Sequence, residues 1–289
     1  MPHPVACHPL SRRGFLATAA AAAAARAFAA PAADALTIGI FTDSHYADRA
    51  PGGSRHYRDS AAKLTDFVAT MNPLRPSFCI VLGDFVDKGN TLADERAYLK
   101  HVQALYARFD GPRHYVIGNH DVTTFTKDQF VALTGTPAPH YAFDAGPCRC
   151  IVLDANYRKD FSPYCAGNFK WTETTVPPDE QRWLADQLAR TTRPALVFIH
   201  QQLDDERGAH GVKNGHDVRR ILERSGKVKA VFQGHNHRGG HRTIGGIHYF
   251  TMRAMVEGPG AANNAYALAR VSPEGVAIRG YGKQTRWPA

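Results

Sequence analysis

Short runs of β-branched and aromatic residues occupy positions 36–41, 78–82, 114–117, 150–153, 196–199 and 228–232. Between them, the apolar residues of 57–71, 92–109, 179–188 and 216–223 recur every three or four positions, the spacing of a helix with one buried face. Strands interleaved with amphipathic helices predict an α/β layered domain. Pro177-Pro178 ahead of Asp179 is a helix start signal, with acid in the first turn where the helix dipole favours it. Beyond Gly245 the pattern turns strand-like, at 247–252, 265–271 and 276–281, with Gly, Pro and Asn between the runs. These segments extend a β layer rather than start a new domain, and no internal repeat is present.

The first 33 residues stand outside that rhythm. Ser11-Arg12-Arg13-Gly14-Phe15-Leu16 precedes an Ala-dominated run, and small residues from Ala29 to Ala33 offer cleavage positions. This is the pattern of a twin-arginine export signal. It predicts recognition by the twin-arginine export machinery, a periplasmic or extracellular location and a single domain over 34–289. Arg26 interrupts the run, and no uninterrupted apolar stretch long enough for a bilayer occurs, so no transmembrane segment is expected in the mature chain. The leader carries Arg12, Arg13 and Arg26 and no acid, leaving 32 bases against 26 acids. That positive balance suits an anionic substrate, but the bases are scattered rather than gathered in a stripe, which argues against a stable nucleic-acid complex.

Cys7 leaves with the leader. Of the remaining four, Cys79 lies in an apolar run and reads as a buried thiol, whereas Cys165 is expected to bridge to Cys148 or Cys150 in an oxidising compartment. No CxxC pair is present, so a thiolate zinc site is not expected.

Chemistry gathers where the strands end. The first three runs pass into Asp43-Ser44-His45, Gly83-Asp84-Phe85-Val86-Asp87 and Gly118-Asn119-His120-Asp121, and later ones into His200 and Gly234-His235-Asn236-His237. In an open α/β sheet ligands collect at the carboxyl ends of strands, so these segments can converge. Glycines 83, 118 and 234 each precede a candidate ligand and permit close backbone approach. Singly, Gly83-Asp84 reads as a turn and a lone histidine as an ordinary core residue. Five donor-bearing segments in order read as a metal centre.

The ordered motifs DSH, GDFVD, GNHD, FIHQ and GHNH resemble those of the calcineurin-like metallophosphoesterase superfamily, over nearly the whole mature chain. The resemblance implies a four-layer α-β-β-α sandwich of two mixed β-sheets with a dimetal site at the strand carboxyl ends. It implies that Asp43, His45 and His237 hold one ion, that Asn119, His200 and His235 hold the other, and that Asp84 bridges them. Carboxylate, amide and imidazole donors suit two divalent or trivalent ions such as Mn, Fe, Zn or Co, which would activate a water as the attacking hydroxide and neutralise phosphoryl oxygens. His120 would then be general acid or transition-state donor, with Asp121 as its partner. Asp87 is either a second carboxylate orienting a ligand or a helix cap. His241 has no motif position and reads as a rim residue.

The stretches DSHYADRAPGGSRHYRDSAAKL and GHNHRGGHRTIGGIHYFTMRAMVEG are similar to those of one branch, the manganese-dependent ADP-ribose and CDP-alcohol diphosphatases. Many members of that branch carry Glu at the position of Asp121, and many are intracellular, which leaves the nucleotide specificity open. Arg55, Arg58 and Arg253 are either phosphate clamps or surface charges. The long segment 155–176, with Tyr157, Phe161, Tyr164, Phe169 and Trp171, is either an active-site wall that stacks on a base or a loop packed down by its own rings. The expected function is an exported dimetal phosphohydrolase of phosphodiester or diphosphate bonds. Alternatives are a general phosphomonoesterase at the same site and a non-catalytic exported binding protein. No GxSxG elbow, HExxH helix or P-loop is present.

Overall fold

The computed structural model describes residues 35–205 and 208–288. The expected export signal lies outside the described residues. Among the described residues, eleven strands form two sheets. The first has the order β11-β10-β1-β2-β3, built from β1 (Leu36–Phe41), β2 (Phe78–Val81), β3 (Arg113–Tyr115), β10 (Ala265–Ser272) and β11 (Gly275–Gly282). The second has the order β4-β5-β6-β7-β9-β8, from β4 (Tyr141–Ala145), β5 (Cys148–Val152), β6 (Ala195–Phe198), β7 (Val228–Gln233), β8 (Gly240–Ile244) and β9 (Ile247–Thr251). In the first sheet β1, β2 and β3 run parallel and β10 and β11 are added antiparallel on one side; in the second β5, β6, β7 and β9 run parallel and antiparallel β4 and β8 close the edges, so both sheets are mixed.

Side-chain alternation explains the layering. Ile38 and Ile40 of β1, Phe78 and Ile80 of β2, Cys150 and Val152 of β5, and Leu196 and Phe198 of β6 meet between the sheets. From the opposite faces, Cys79 and Val81 meet α1 (Asp59–Leu74) and α2 (Leu92–Tyr106) through Leu64, Phe67, Met71, Leu99 and Tyr106. Ile151 and Val197 likewise meet Leu184 and Leu188 of α4 (Pro178–Arg190) and Val218 and Leu222 of α5 (Gly215–Ser225). The result is the four-layer α-β-β-α sandwich. Inner strand β2 is buried on both faces and therefore reads as an unbroken apolar run.

Three elements escape the periodicity. Strand β8, with the sequence GHRTI, is an edge strand whose middle three residues are exposed, and β4 is a half-exposed edge. Helix α3 (Lys127–Thr134) has only eight residues and is announced by its cap alone: Thr126 accepts from the Gln129 amide while Gln129 accepts from the Thr126 amide.

The expected disulfide is not formed, because Cys79, Cys148, Cys150 and Cys165 are all free. Cys148 and Cys150 sit on the same face of β5 and point into the core between the sheets, whereas Cys165 belongs to a loop whose next residue bonds the Phe125 carbonyl. No helix among the described residues is long and apolar enough to cross a membrane.

Candidate metal centre

The parallel strands of both sheets deliver their carboxyl ends to one edge, where the two sheets are tied together. The Asp43 and His45 amides donate to the carbonyls of Gly83 and Asp84, and the Met255 and Val256 amides donate to Thr42 and Asp43. Buried Lys63 of α1 fixes the 255–258 segment by donating to the carbonyls of Met255, Glu257 and Gly258 at 2.8, 3.0 and 2.7 Å. A Cβ on Gly118 would run into the Asp84 backbone nitrogen, and one on Gly234 into Thr42 Oγ1, so glycine is needed where these turns pass over one another. Asp43, His45, Asp84 and His235 adopt left-handed φ of 50, 43, 50 and 66°. Such conformations are uncommon for non-glycine residues and gather where a site requires them.

Each carboxylate has one oxygen tied back and one left inward. Asp43 Oδ2 accepts from the Thr42 hydroxyl at 2.6 Å and the His235 amide at 3.0 Å, while Oδ1 has no hydrogen-bond partner and faces His45 Nε2 at 3.5 Å and His237 Nε2 at 3.4 Å. Asp84 Oδ1 accepts from the His120 amide at 2.8 Å, and Oδ2 lies 3.4 Å from His45 Nε2 and 3.2 Å from His200 Nε2.

The imidazoles follow the same logic through Nδ1. His200 Nδ1 donates to the Leu82 carbonyl at 2.7 Å, His237 Nδ1 to Glu257 Oε1 at 2.5 Å, and His45 Nδ1 lies 3.2 Å from Asp87 Oδ2. Tying Nδ1 in this way fixes the tautomer and frees Nε2 as a metal donor. His235 turns its own Nδ1 to within 3.2 Å of His200 Nε2. The donors fall into the groups Asp43–His45–His237 and Asp84–His200–His235, with His45–Asp84–His120 between them. Asn119, buried with an unpartnered Oδ1, stands ready beside them.

Electrostatics favours cations at this edge. Burial opposes ionisation of Asp43, Asp84 and Asp87, yet the surrounding histidines outweigh it and hold all three below the usual carboxylate range. In return His200 is pushed up to about 9, Asp84 overcoming the desolvation penalty, and His237 to about 9, chiefly through Asp43 and Glu257 against burial. His235 is driven well below its ordinary value by burial and by His200, which keeps it a neutral donor. A buried cluster that stabilises positive charge, with orphaned oxygen and nitrogen atoms turned inward, fits divalent ions.

The expected partnership of His120 with Asp121 is not found. His120 Nδ1 lies 3.1 Å from Asp87 Oδ1. Asp121 instead accepts from the amides of Phe85 and Val86 on Oδ1, at 2.9 and 3.1 Å, and of Gly118 on Oδ2, at 2.9 Å. With both oxygens spent on backbone N–H groups, it cannot orient the neighbouring ring. Its carboxyl is pushed up to about 7, first by burial and then by Asp84. Asp87 is no helix cap, since Thr91 caps α2. It touches His45, His120, Arg49 and Arg55.

The groups open into a cavity of about 550 Å³ lined by Arg55, Asp84, Asn119, His120, Trp171, His210, His235, Asn236, His237 and Arg238. Arg55 thus reaches the cavity, 3.5 Å from Asp87 Oδ2. Arg58 pairs with Asp48 at 2.6 Å on the surface, and Arg253 donates to the Arg238 carbonyl at 3.4 Å. The aromatic loop divides: Tyr164 is buried and stacked on Phe169, whereas Trp171, 43% exposed, turns toward His235 and His210. His241 stacks on His248 and Phe250 and is not among the residues that line the cavity. Sequence reasoning missed His210, Arg238, Glu257 and Lys63. Glu257 was within reach as the acid of Val-Glu-Gly, but His210 stands in a loop with no local signal.

Three donor groups, linked through His45 and Asp84 at the facing carboxyl ends of two sheets, form a candidate site for divalent metal ions. The chain belongs to the calcineurin-like phosphoesterase family, whose pattern matches residues 36–239, and it is a metal-dependent phosphoesterase. It is 27% identical, over 86% of its length and 91% of the relative's, to a manganese-dependent ADP-ribose/CDP-alcohol diphosphatase of Oryza sativa subsp. japonica. It is 24% identical, over 77% and 87%, to the protein of the same name from Arabidopsis thaliana. In fold it is similar to a dimetal phosphatase from Danio rerio, with TM-score 0.77 and 22% identity, covering 87% of this chain and 98% of that one.

Proposed function

We propose that this phosphoesterase hydrolyses the diphosphate linkage of nucleoside diphosphate conjugates of the ADP-ribose or CDP-alcohol type. The observation that carries the reading is the cavity itself: two arginines and a tryptophan stand beside the donor groups, so anionic and planar parts of one substrate meet complementary groups. The similarity to two proteins named diphosphatases supports it. Two divalent ions, with manganese the first to try, would neutralise the phosphoryl oxygens and acidify the attacking water. Asp43, His45 and His237 would hold one, Asn119, His200 and His235 the other, and Asp84 both. His120, oriented by Asp87, delivers a proton to the leaving-group oxygen. Arg55 holds a phosphoryl oxygen, and Trp171 offers a ring face to the base.

The test is turnover of ADP-ribose, CDP-glycerol, bis-p-nitrophenyl phosphate and p-nitrophenyl phosphate by metal-stripped protein reloaded with Mn, Zn, Fe or Co. Metal-dependent turnover that is highest on the two diphosphates is expected. Highest turnover on p-nitrophenyl phosphate would make the protein a phosphomonoesterase.

We further propose export by the twin-arginine route, on the strength of Arg12-Arg13 and the Ala-rich run that follows. Replacing both arginines by lysine should retain the protein inside the cell. Unchanged appearance outside the cytoplasm would reject the route.

A further inference from the structure

Arg238 is held at the mouth of the cavity by a fixed turn. Asn236 Oδ1 accepts from the Arg238 amide at 3.3 Å, the Asn236 carbonyl accepts from the Gly239 amide at 3.0 Å, and Arg253 braces the Arg238 carbonyl from behind. The other arginines nearby have carboxylate partners, Arg49 and Arg55 in Asp87 and Arg58 in Asp48, so Arg55 meets a phosphoryl oxygen while still beside Asp87. Among the described residues, no carboxylate pairs with the Arg238 guanidinium. Its companions in the wall are Trp171 and His210, whose rings lie 5.4 Å from that of His235. His210 and Trp171 therefore flank His235 of the Asp84–His200–His235 group, with Arg238 in the same cavity wall, while Arg55 stands by Asp87.

We propose that Arg238 determines specificity: with His210 it forms an anion subsite beside the donor groups that receives a second phosphoryl group. A planar guanidinium with no carboxylate partner matches two phosphoryl oxygens at once, and binding there sacrifices no internal ion pair. A substrate with a single phosphoryl group, seated between the two donor groups, leaves the subsite empty. A diphosphate fills both. The inference deepens the diphosphate reading given above and rests on it for the identity of the natural substrate, but not for the existence of the subsite.

Calorimetric titration of manganese-loaded protein with AMP and with α,β-methylene-ADP tests the subsite without any turnover. The two probes share adenosine and differ by one phosphoryl group. The methylene diphosphate should bind about 10-fold or more tighter than AMP, the range of a charge-assisted bidentate contact. In Arg238→Gln that preference should fall to within about 2-fold, and Arg238→Lys should restore part of it. Arg182→Gln, which removes an equal charge from the exposed face of α4, should keep it. No preference in the unaltered protein, or a preference that survives in Arg238→Gln, overturns the subsite. A preference that depends on Arg238 in a protein that does not turn over ADP-ribose or CDP-glycerol would overturn the substrate assignment alone.

Discussion

His120 turns Nδ1 onto Oδ1 of Asp87, 3.1 Å away, and Asp87 offers its other oxygen to His45 Nδ1 at 3.2 Å. One carboxylate thereby steadies a metal-donor candidate and a proton-donor candidate together. Asp87→Asn keeps the shape but replaces one accepting oxygen with a donor, so it should lower kcat by about 10- to 100-fold, the usual cost of losing such an orienting partner. The loss should be larger for substrates with alkoxide leaving groups than for nitrophenyl esters, because only the former need the His120 proton. Equal loss on both classes would assign Asp87 to the ion alone.

Asp121 should behave as a structural brace. Its carboxylate ties the Gly118 turn to the Phe85-Val86 turn through three backbone amides. Asp121→Ala leaves those buried donors unpaired and should cost about 3 kcal/mol. For a chain of this size that corresponds to a Tm lower by roughly 6 to 12 °C. Thermal unfolding of the metal-loaded variant measures it, and an unchanged Tm combined with an altered pH–rate profile would return Asp121 to the proton-transfer machinery.

Glu257 should tune metal affinity at a distance. It accepts from His237 Nδ1 at 2.5 Å, and that contact holds its carboxyl down at about 2. Glu257→Gln keeps a neutral acceptor and Glu257→Ala keeps none. Manganese affinity should therefore fall in that order, by about 10-fold for glutamine and up to about 100-fold for alanine. Titration of metal-stripped protein with manganese resolves the series, and identical affinities would leave Glu257 as a surface acid.

What could be read in the chain beforehand was whatever local chemistry announces. Strand β1 shows its full extent because Leu36, Ile38 and Ile40 alternate into one core, and α4 shows its start because Pro177 and Pro178 precede acidic residues. The motif residues were legible because each follows an apolar run. Partnerships across the fold were not. Asp121 adjoins His120 in sequence, yet the short 3-10 turn at His120–Val122 points the two side chains apart, and Asp87 reaches the ring from 33 residues away. Edge strand β8 and the eight-residue α3 bury too little apolar surface to write a period. His210 reaches the cavity only because the loop after β6 folds back against His235 at the end of β7.

Asp84 and His235 should differ in how many ions their loss removes. Asp84 Oδ2 faces His45 and His200, one from each outer donor group, whereas His235 belongs to the Asp84–His200–His235 group alone. Asp84→Asn weakens the shared donor and should abolish tight binding of both ions. His235→Ala should leave one ion per chain, held by Asp43, His45 and His237. The same ranking should appear in stability, since an ion at about 100 times its Kd stabilises the folded chain by about 2.7 kcal/mol. At roughly 2 to 4 °C per kcal/mol, manganese should raise the Tm of the unaltered protein most, that of His235→Ala by about half as much and that of Asp84→Asn least. Metal content after dialysis, set against these Tm shifts, decides the matter: two ions retained by Asp84→Asn would remove the shared carboxylate from the centre and leave two independent sites.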